Sequence, residues 1–195
     1  MGDAQRTTCG QATDMGAMGA ATARRTFWWD RGCPVDADVH PLRAVVFDAD
    51  SALGEVGCDD DLVSRAGLID LVMSLFVEGI WVAVVSRRDR EHAQTVVRQL
   101  IGDGLVETIV SADDLDQPGS ASDLYRLALW ELGVAPANAL AVGGSARSLR
   151  AAEAAEVPGV LVAADYAAGP ELADAAGCRR LHRRCGMRQQ QLQAA

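Results

Sequence analysis

The chain has no lysine: all 18 basic residues among its 195 are arginine. Any mechanism that needs a lysine ammonium is therefore excluded. Asparagine and isoleucine are scarce as well. All three residues have AT-rich codons, so the bias points to a GC-rich bacterial genome. Aromatic residues make up only 5% of the chain, so a core must be built mostly from Ala, Val and Leu. No apolar run reaches the roughly 18 residues of a membrane-spanning helix. The five cysteines (Cys9, Cys33, Cys58, Cys178 and Cys185) are odd in number and scattered, unlike a disulfide framework. Cys178 and Cys185 flank His182, but no fourth metal ligand accompanies them, and free thiols are expected.

Against these absences stands a hydrophobic content of 49%, enough for the core of one domain. Net charge is −9, unevenly spread: residues 1–177 carry 13 arginines and all 27 acidic groups, whereas 178–195 carry five arginines and no acid. An acidic body repels nucleic acid and anionic membranes, so neither is expected as a partner. Arg24-Arg25-Thr26-Phe27 resembles the core of an export signal. However, Asp30, Arg31 and Asp36 follow where an apolar stretch is required, so a cytoplasmic protein is expected. Residues 1–26 lack sustained periodicity and read as a mobile arm. Phe27, Trp28 and Trp29 form an aromatic patch suited to packing on the domain or to a homodimer or partner contact. The organisation expected is an arm over 1–41, a core domain over 42–177 and a basic tail over 178–195.

From residue 42 the pattern alternates between short apolar runs and helical spacing. Strands are expected at Ala44 to Phe47, Trp81 to Val85, Val106 to Val110, Ala139 to Val142 and Val160 to Ala163. Helices are expected at Leu62 to Glu78, Arg90 to Ile101, Ser122 to Leu132, Ala146 to Ala155 and Glu171 to Ala176. The first of these would bury Leu62, Ala66, Ile69, Val72, Met73 and Phe76. This alternation predicts a three-layer α/β sandwich around a five-stranded parallel sheet. Ligands of such sheets bind beyond the carboxyl ends of the strands.

Two features fall at those ends. In FDADSAL (47–53), Asp48 and Asp50 leave the first strand two residues apart. One carboxylate could act as nucleophile and the other as general acid and base, or both could cap loop amides. Ser86 ends the second strand in AVVSRR; its hydroxyl and the amides after it could hold a phosphate oxygen, with Arg87 adding charge, or it could cap a helix. The turn Gly143-Gly144-Ser145 before a helix could offer amides to an anion or be an ordinary tight turn.

In this order, DADSAL, Ser86, QPGSASDLYRLALWELGV (117–134) and ALAVGGSARSLRAAEAAEVPGVLV (139–162) resemble the haloacid dehalogenase (HAD) superfamily of phosphatases and phosphotransferases. The resemblance covers residues 42–168 and implies a Rossmann-like core. It implies Asp48 as nucleophile, Asp50 as acid/base and Ser86 as phosphate anchor, with Arg87, Gln117 and Gly144 at the phosphate. It also implies Mg²⁺ held by Asp48 and the backbone carbonyl of Asp50. The departures fall on the cations: the family's lysine aligns with Gln117, its metal-ligand aspartate with Gly144, a further acidic residue with Ser148, and a threonine with Ala52. Losing one positioned charge partner in such a site costs about 3–4 kcal/mol. Replacement cations could come from Arg87, Arg88, Arg126 or Arg147, and metal ligands from Asp113, Asp114 or Asp165. Only 51–85 separates the first motif from Ser86, so no large cap fits there. The expected function is that of a degenerate, capless member with weak or no phosphohydrolase activity. It would bind a phosphorylated small molecule or a protein partner. The alternative is an active Mg²⁺-dependent phosphatase working through an aspartyl phosphate with substitute accessory residues.

Overall fold

The computed structural model describes residues 40–53, 62–102, 104–115, 119–162 and 172–193. The arm, the aromatic patch at 27–29, the segment 54–61, Gln117 and Asp165 lie outside them. Five strands, β1 (Ala44–Asp48), β2 (Trp81–Val85), β3 (Thr108–Val110), β4 (Ala139–Gly143) and β5 (Gly159–Leu161), form one sheet in the order β3-β2-β1-β4-β5. Every pairing is parallel. The helices are α1 (Leu62–Val77), α2 (Arg90–Leu100), α3 (Ala121–Leu132), α4 (Ala146–Ala154) and α5 (Ala175–Gln193).

The period-two alternation of side chains sorts the core into two layers. Val45, Phe47, Val82, Val84, Leu140 and Val142 face α1, α2 and α5. Ala44, Val46, Ala83, Val85, Ala139 and Ala141 face α3 and α4. The second face is mostly alanine, which lets α3 and α4 approach the sheet closely. Local chemistry sets the helix ends. Asp89 Oδ1 accepts the His92 N–H at 2.7 Å and caps α2, while Ser120 and Asp123 form a reciprocal cap on α3. Gly133 ends α3 with φ 64°, a left-handed conformation that glycine adopts without strain.

Two expectations from the sequence need correction. The buried face of α1 is Leu68, Leu71, Val72 and Leu75, whereas Ala66, Met73 and Phe76 are exposed. This helix is apolar on nearly every side, so its spacing does not choose a face. The last helix is not a short element at 171–176 followed by a separate tail. Asp174 caps α5, its Oδ1 accepting the Gly177 N–H at 2.7 Å, and the helix continues through the arginine-rich stretch. Cys178, Leu181 and His182 fall at i, i+3 and i+4 and are buried against the sheet layer. The boundary expected at 177/178 therefore cuts a helix that belongs to the core. Arg179 anchors it further, pairing with Glu78 at 3.0 Å. His182 Nε2 lies 2.8 Å from the Ala137 carbonyl, Cys178 is a free thiol, and the Cys185 thiol donates to the Gly159 carbonyl at 3.4 Å.

β1 is central and its neighbours β2 and β4 are reached by connections running to opposite sides. The sheet's topological switch point thus lies between the carboxyl ends of β1 and β4, where a crevice forms.

Candidate active site

At that switch point the chain turns sharply after Asp48: the Ala52 N–H returns to the Asp48 carbonyl at 2.8 Å. The turn brings Asp48 and Asp50 to one place, as their spacing suggests. Asp48 is 5% exposed, and its Oδ1 accepts the N–H groups of Asp50 (2.9 Å) and Ser51 (3.2 Å). Burial, and next the neighbouring Asp50 charge, push the Asp48 carboxyl above its ordinary value, with Arg87 opposing.

Asp50 is more heavily engaged. Its Oδ1 accepts the Ser86 hydroxyl at 2.8 Å and its Oδ2 accepts the Arg87 N–H at 2.8 Å. Arg87 Nε stands 3.3 Å from the same Oδ2, an ion pair without hydrogen-bond alignment. The Ser86 hydroxyl in turn accepts the Arg88 N–H at 3.0 Å. Ser86 thus links the ends of β1 and β2. Asp48, Asp50, Ser86 and Arg87 are one hydrogen-bonded and charged cluster.

Around Gly144 the space is closed. A β-carbon there would sit 2.5 Å from the Ser51 carbonyl carbon, nearer still to its oxygen, and 3.1 Å from the Ala52 nitrogen. The Gly144 N–H donates to Ser51 Oγ at 3.1 Å, and Ser51 Oγ donates to Ser148 Oγ at 3.2 Å. Ser145 and Ser148 close a reciprocal cap over α4, so the Ser145 and Ser148 amides are also taken. The Gly144, Ser145 and Ser148 amides are thus engaged within the turn, the arrangement of an ordinary tight turn.

Of the replacement groups considered, several point elsewhere. Arg126 pairs with Asp123 and donates to the Ala154 carbonyl. Asp113 accepts the Arg90 N–H, and Asp114 accepts the Ser111 amide and hydroxyl and pairs with Arg90. Arg87 and Arg147 are the arginines that line the cleft above Asp48, together with Ser86, Tyr125 and Ser148. Sequence reasoning missed Tyr125. The available signal was a phenol on the otherwise aliphatic face of α3, since a buried Tyr hydroxyl needs a partner.

A divalent ion does not fit this donor set. Beside the Asp50 backbone carbonyl, Asp48 would be the lone side-chain ligand, and Ser51 backbone fills the space where a carboxylate at Gly144 would stand. Mg²⁺ demands near-octahedral oxygen coordination, for which more ligands are needed. Among the described residues no group of three or more His, Cys, Asp or Glu side chains converges on a common point.

The parallel sheet, its switch-point crevice and the paired aspartates define a Rossmann-like α/β domain with a carboxylate-bearing site at the sheet's carboxyl edge. The haloacid dehalogenase-like hydrolase family model matches residues 4–156, and the chain belongs to that family. It is 30% identical over 142 residues to Protein CbbY of Cereibacter sphaeroides, covering 71% of this chain and 59% of that protein. It is 27% identical over 143 residues to Protein CbbY of Rhodobacter capsulatus, covering 71% and 60%. The chain therefore spans about three fifths of the length of the curated relatives it matches. Among solved structures, CbbY from Rhodobacter sphaeroides in complex with phosphate superposes with a TM-score of 0.53 at 18% identity, covering 70% of this chain and 98% of that one. The haloacid dehalogenase-like protein SP0104 of Streptococcus pneumoniae superposes with a TM-score of 0.51 at 14% identity, covering 72% and 90%. No helix of the described residues is long and apolar enough to cross a membrane.

Proposed function

We propose that this chain is a phosphate-binding member of the haloacid dehalogenase-like hydrolases with weak or no phosphohydrolase turnover. Its ligand would be a phosphorylated small molecule held at the carboxyl ends of β1 and β2. The observation that carries this reading is the closure at Gly144, where Ser51 backbone stands in the place of a metal-binding carboxylate. The retained cluster of Asp48, Asp50, Ser86 and Arg87 supports a binding role. Complexes of CbbY with phosphate and with xylulose-(1,5)-bisphosphate place phosphorylated ligands on a relative of the same fold.

One observation favours the alternative of an active Mg²⁺-dependent phosphatase: Asp48 lines the cleft, where a nucleophilic carboxylate would have to stand. Hydrolysis of an aryl phosphate by purified protein, in Mg²⁺ and in EDTA, separates the two. A rate within about tenfold of an Asp48→Asn control is expected, since the missing cationic partners account for a loss of roughly a hundredfold or more. Mg²⁺-dependent turnover abolished by Asp48→Asn would establish the phosphatase instead.

A further inference from the structure

Among the described residues, two buried side-chain nitrogen or oxygen atoms have no hydrogen-bond partner: Arg87 Nε and the Tyr125 hydroxyl. Both belong to residues lining the same cleft over Asp48. Buried polar groups are nearly always satisfied, and each orphan costs about 1–3 kcal/mol. The Tyr125 hydroxyl has no hydrogen-bond partner among the described residues, while Arg87 Nε keeps only the unaligned 3.3 Å ion-pair contact with Asp50 Oδ2.

The chemistry of the two atoms points to a class of ligand. Arg87 Nε can only donate. The Tyr125 hydroxyl is raised far above its ordinary value, first by burial and next by the Asp48 charge, so it stays a neutral donor. A hydroxyl donor without a hydrogen-bond partner and an arginine bordering the same cleft suit an acceptor with several oxygens. Charge agrees: Arg87 and Arg147 both line the cleft, and Arg147 is exposed without an ion pair among the described residues. The two arginines offset the two aspartates before any cation is added. An arginine also matches phosphate geometry better than a point charge does.

We propose that Tyr125 and Arg87 grip the phosphoryl oxygens directly and hold them without a divalent cation. This rests on the phosphate-binding reading above and adds to it the donors and their independence of metal. Neither donor depends on the closed space at Gly144. Tyr125 is fixed by α3 packing and Arg87 by the end of β2, so both are in place before the ligand arrives.

The test is calorimetric titration of the full chain with inorganic phosphate, in EDTA and in Mg²⁺, for the natural sequence and for Tyr125→Phe. Phenylalanine keeps the ring in the core and removes only the orphan hydroxyl. Binding in EDTA is expected to equal that in Mg²⁺, and Tyr125→Phe is expected to weaken it at least about tenfold. The ligand-free melting temperature of Tyr125→Phe is expected to hold or rise, whereas a structural hydroxyl would lower it. Phosphate binding that is unchanged in Tyr125→Phe, or that appears only with Mg²⁺, overturns this proposal alone. No phosphate binding in either buffer overturns it together with the phosphate-binding reading.

Discussion

Gly144→Asp, which writes back the carboxylate found in the family, is expected to lower the melting temperature by about 6–12 °C and to restore no phosphatase activity. The cause is space rather than backbone conformation. Any β-carbon at 144 meets the Ser51 carbonyl and the Ala52 nitrogen, which are backbone atoms of a tight turn and not the far ends of flexible side chains. That turn is held by the Ala52 N–H on the Asp48 carbonyl and by two amides on Asp48 Oδ1, so moving it breaks the cluster that positions the aspartates. Overpacking of this kind costs about 3 kcal/mol, which converts to the shift given. Thermal melting followed by circular dichroism checks the first part and an aryl phosphate assay the second. A Gly144→Asp protein that melts like the natural one and gains Mg²⁺-dependent turnover would mean that the turn opens freely.

Asp48→Asn is expected to act in the opposite direction and to stabilise. Asparagine keeps an Oδ1 that can accept the Asp50 and Ser51 amides while removing a buried charge. Burial and the Asp50 charge raise the Asp48 carboxyl in the folded protein, so the folded state holds its proton more tightly than the unfolded chain does. The stability tied to that proton is fully present below the unfolded value of 3.8 and is lost as pH rises through the folded value. The natural protein thus carries the full cost at alkaline pH. Asp48→Asn should melt about 2–4 °C higher there, equivalent to roughly 1 kcal/mol, and the gain should vanish at acid pH near the unfolded value. Melting curves across that range check the sign. A gain that grows toward acid pH would mean that Asp48 is held ionised.

Much of this molecule is legible in its sequence because the relevant signals are local. Each strand is a short apolar run, and Asp48, Ser86, Ser111 and Gly144 mark the carboxyl ends of the first four. The two aspartates two residues apart, with Ser86 at the next strand end, are enough to locate the site. What the sequence hides depends on tertiary position. The uniformly apolar α1 gives no periodicity that separates Leu68 and Leu71 from Met73 and Phe76. The arginines at 179–184 mask the helical spacing of Cys178, Leu181 and His182, which seats α5 on the core. Gly144 reads as a lost ligand, but only the path of the chain through Ser51 shows that the space itself is gone. Tyr125 reads as a core aromatic until its hydroxyl is seen to lack a partner above Asp48.

A site that holds a phosphoryl group and is closed to the family's metal is tested by calorimetric titration of the phosphate-loaded protein with Mg²⁺. With Asp48 the lone side-chain ligand and Gly144 sealed, no saturable heat is expected at concentrations on the order of millimolar. Saturation near one Mg²⁺ per chain, lost in Asp48→Asn, would instead show an intact metal centre.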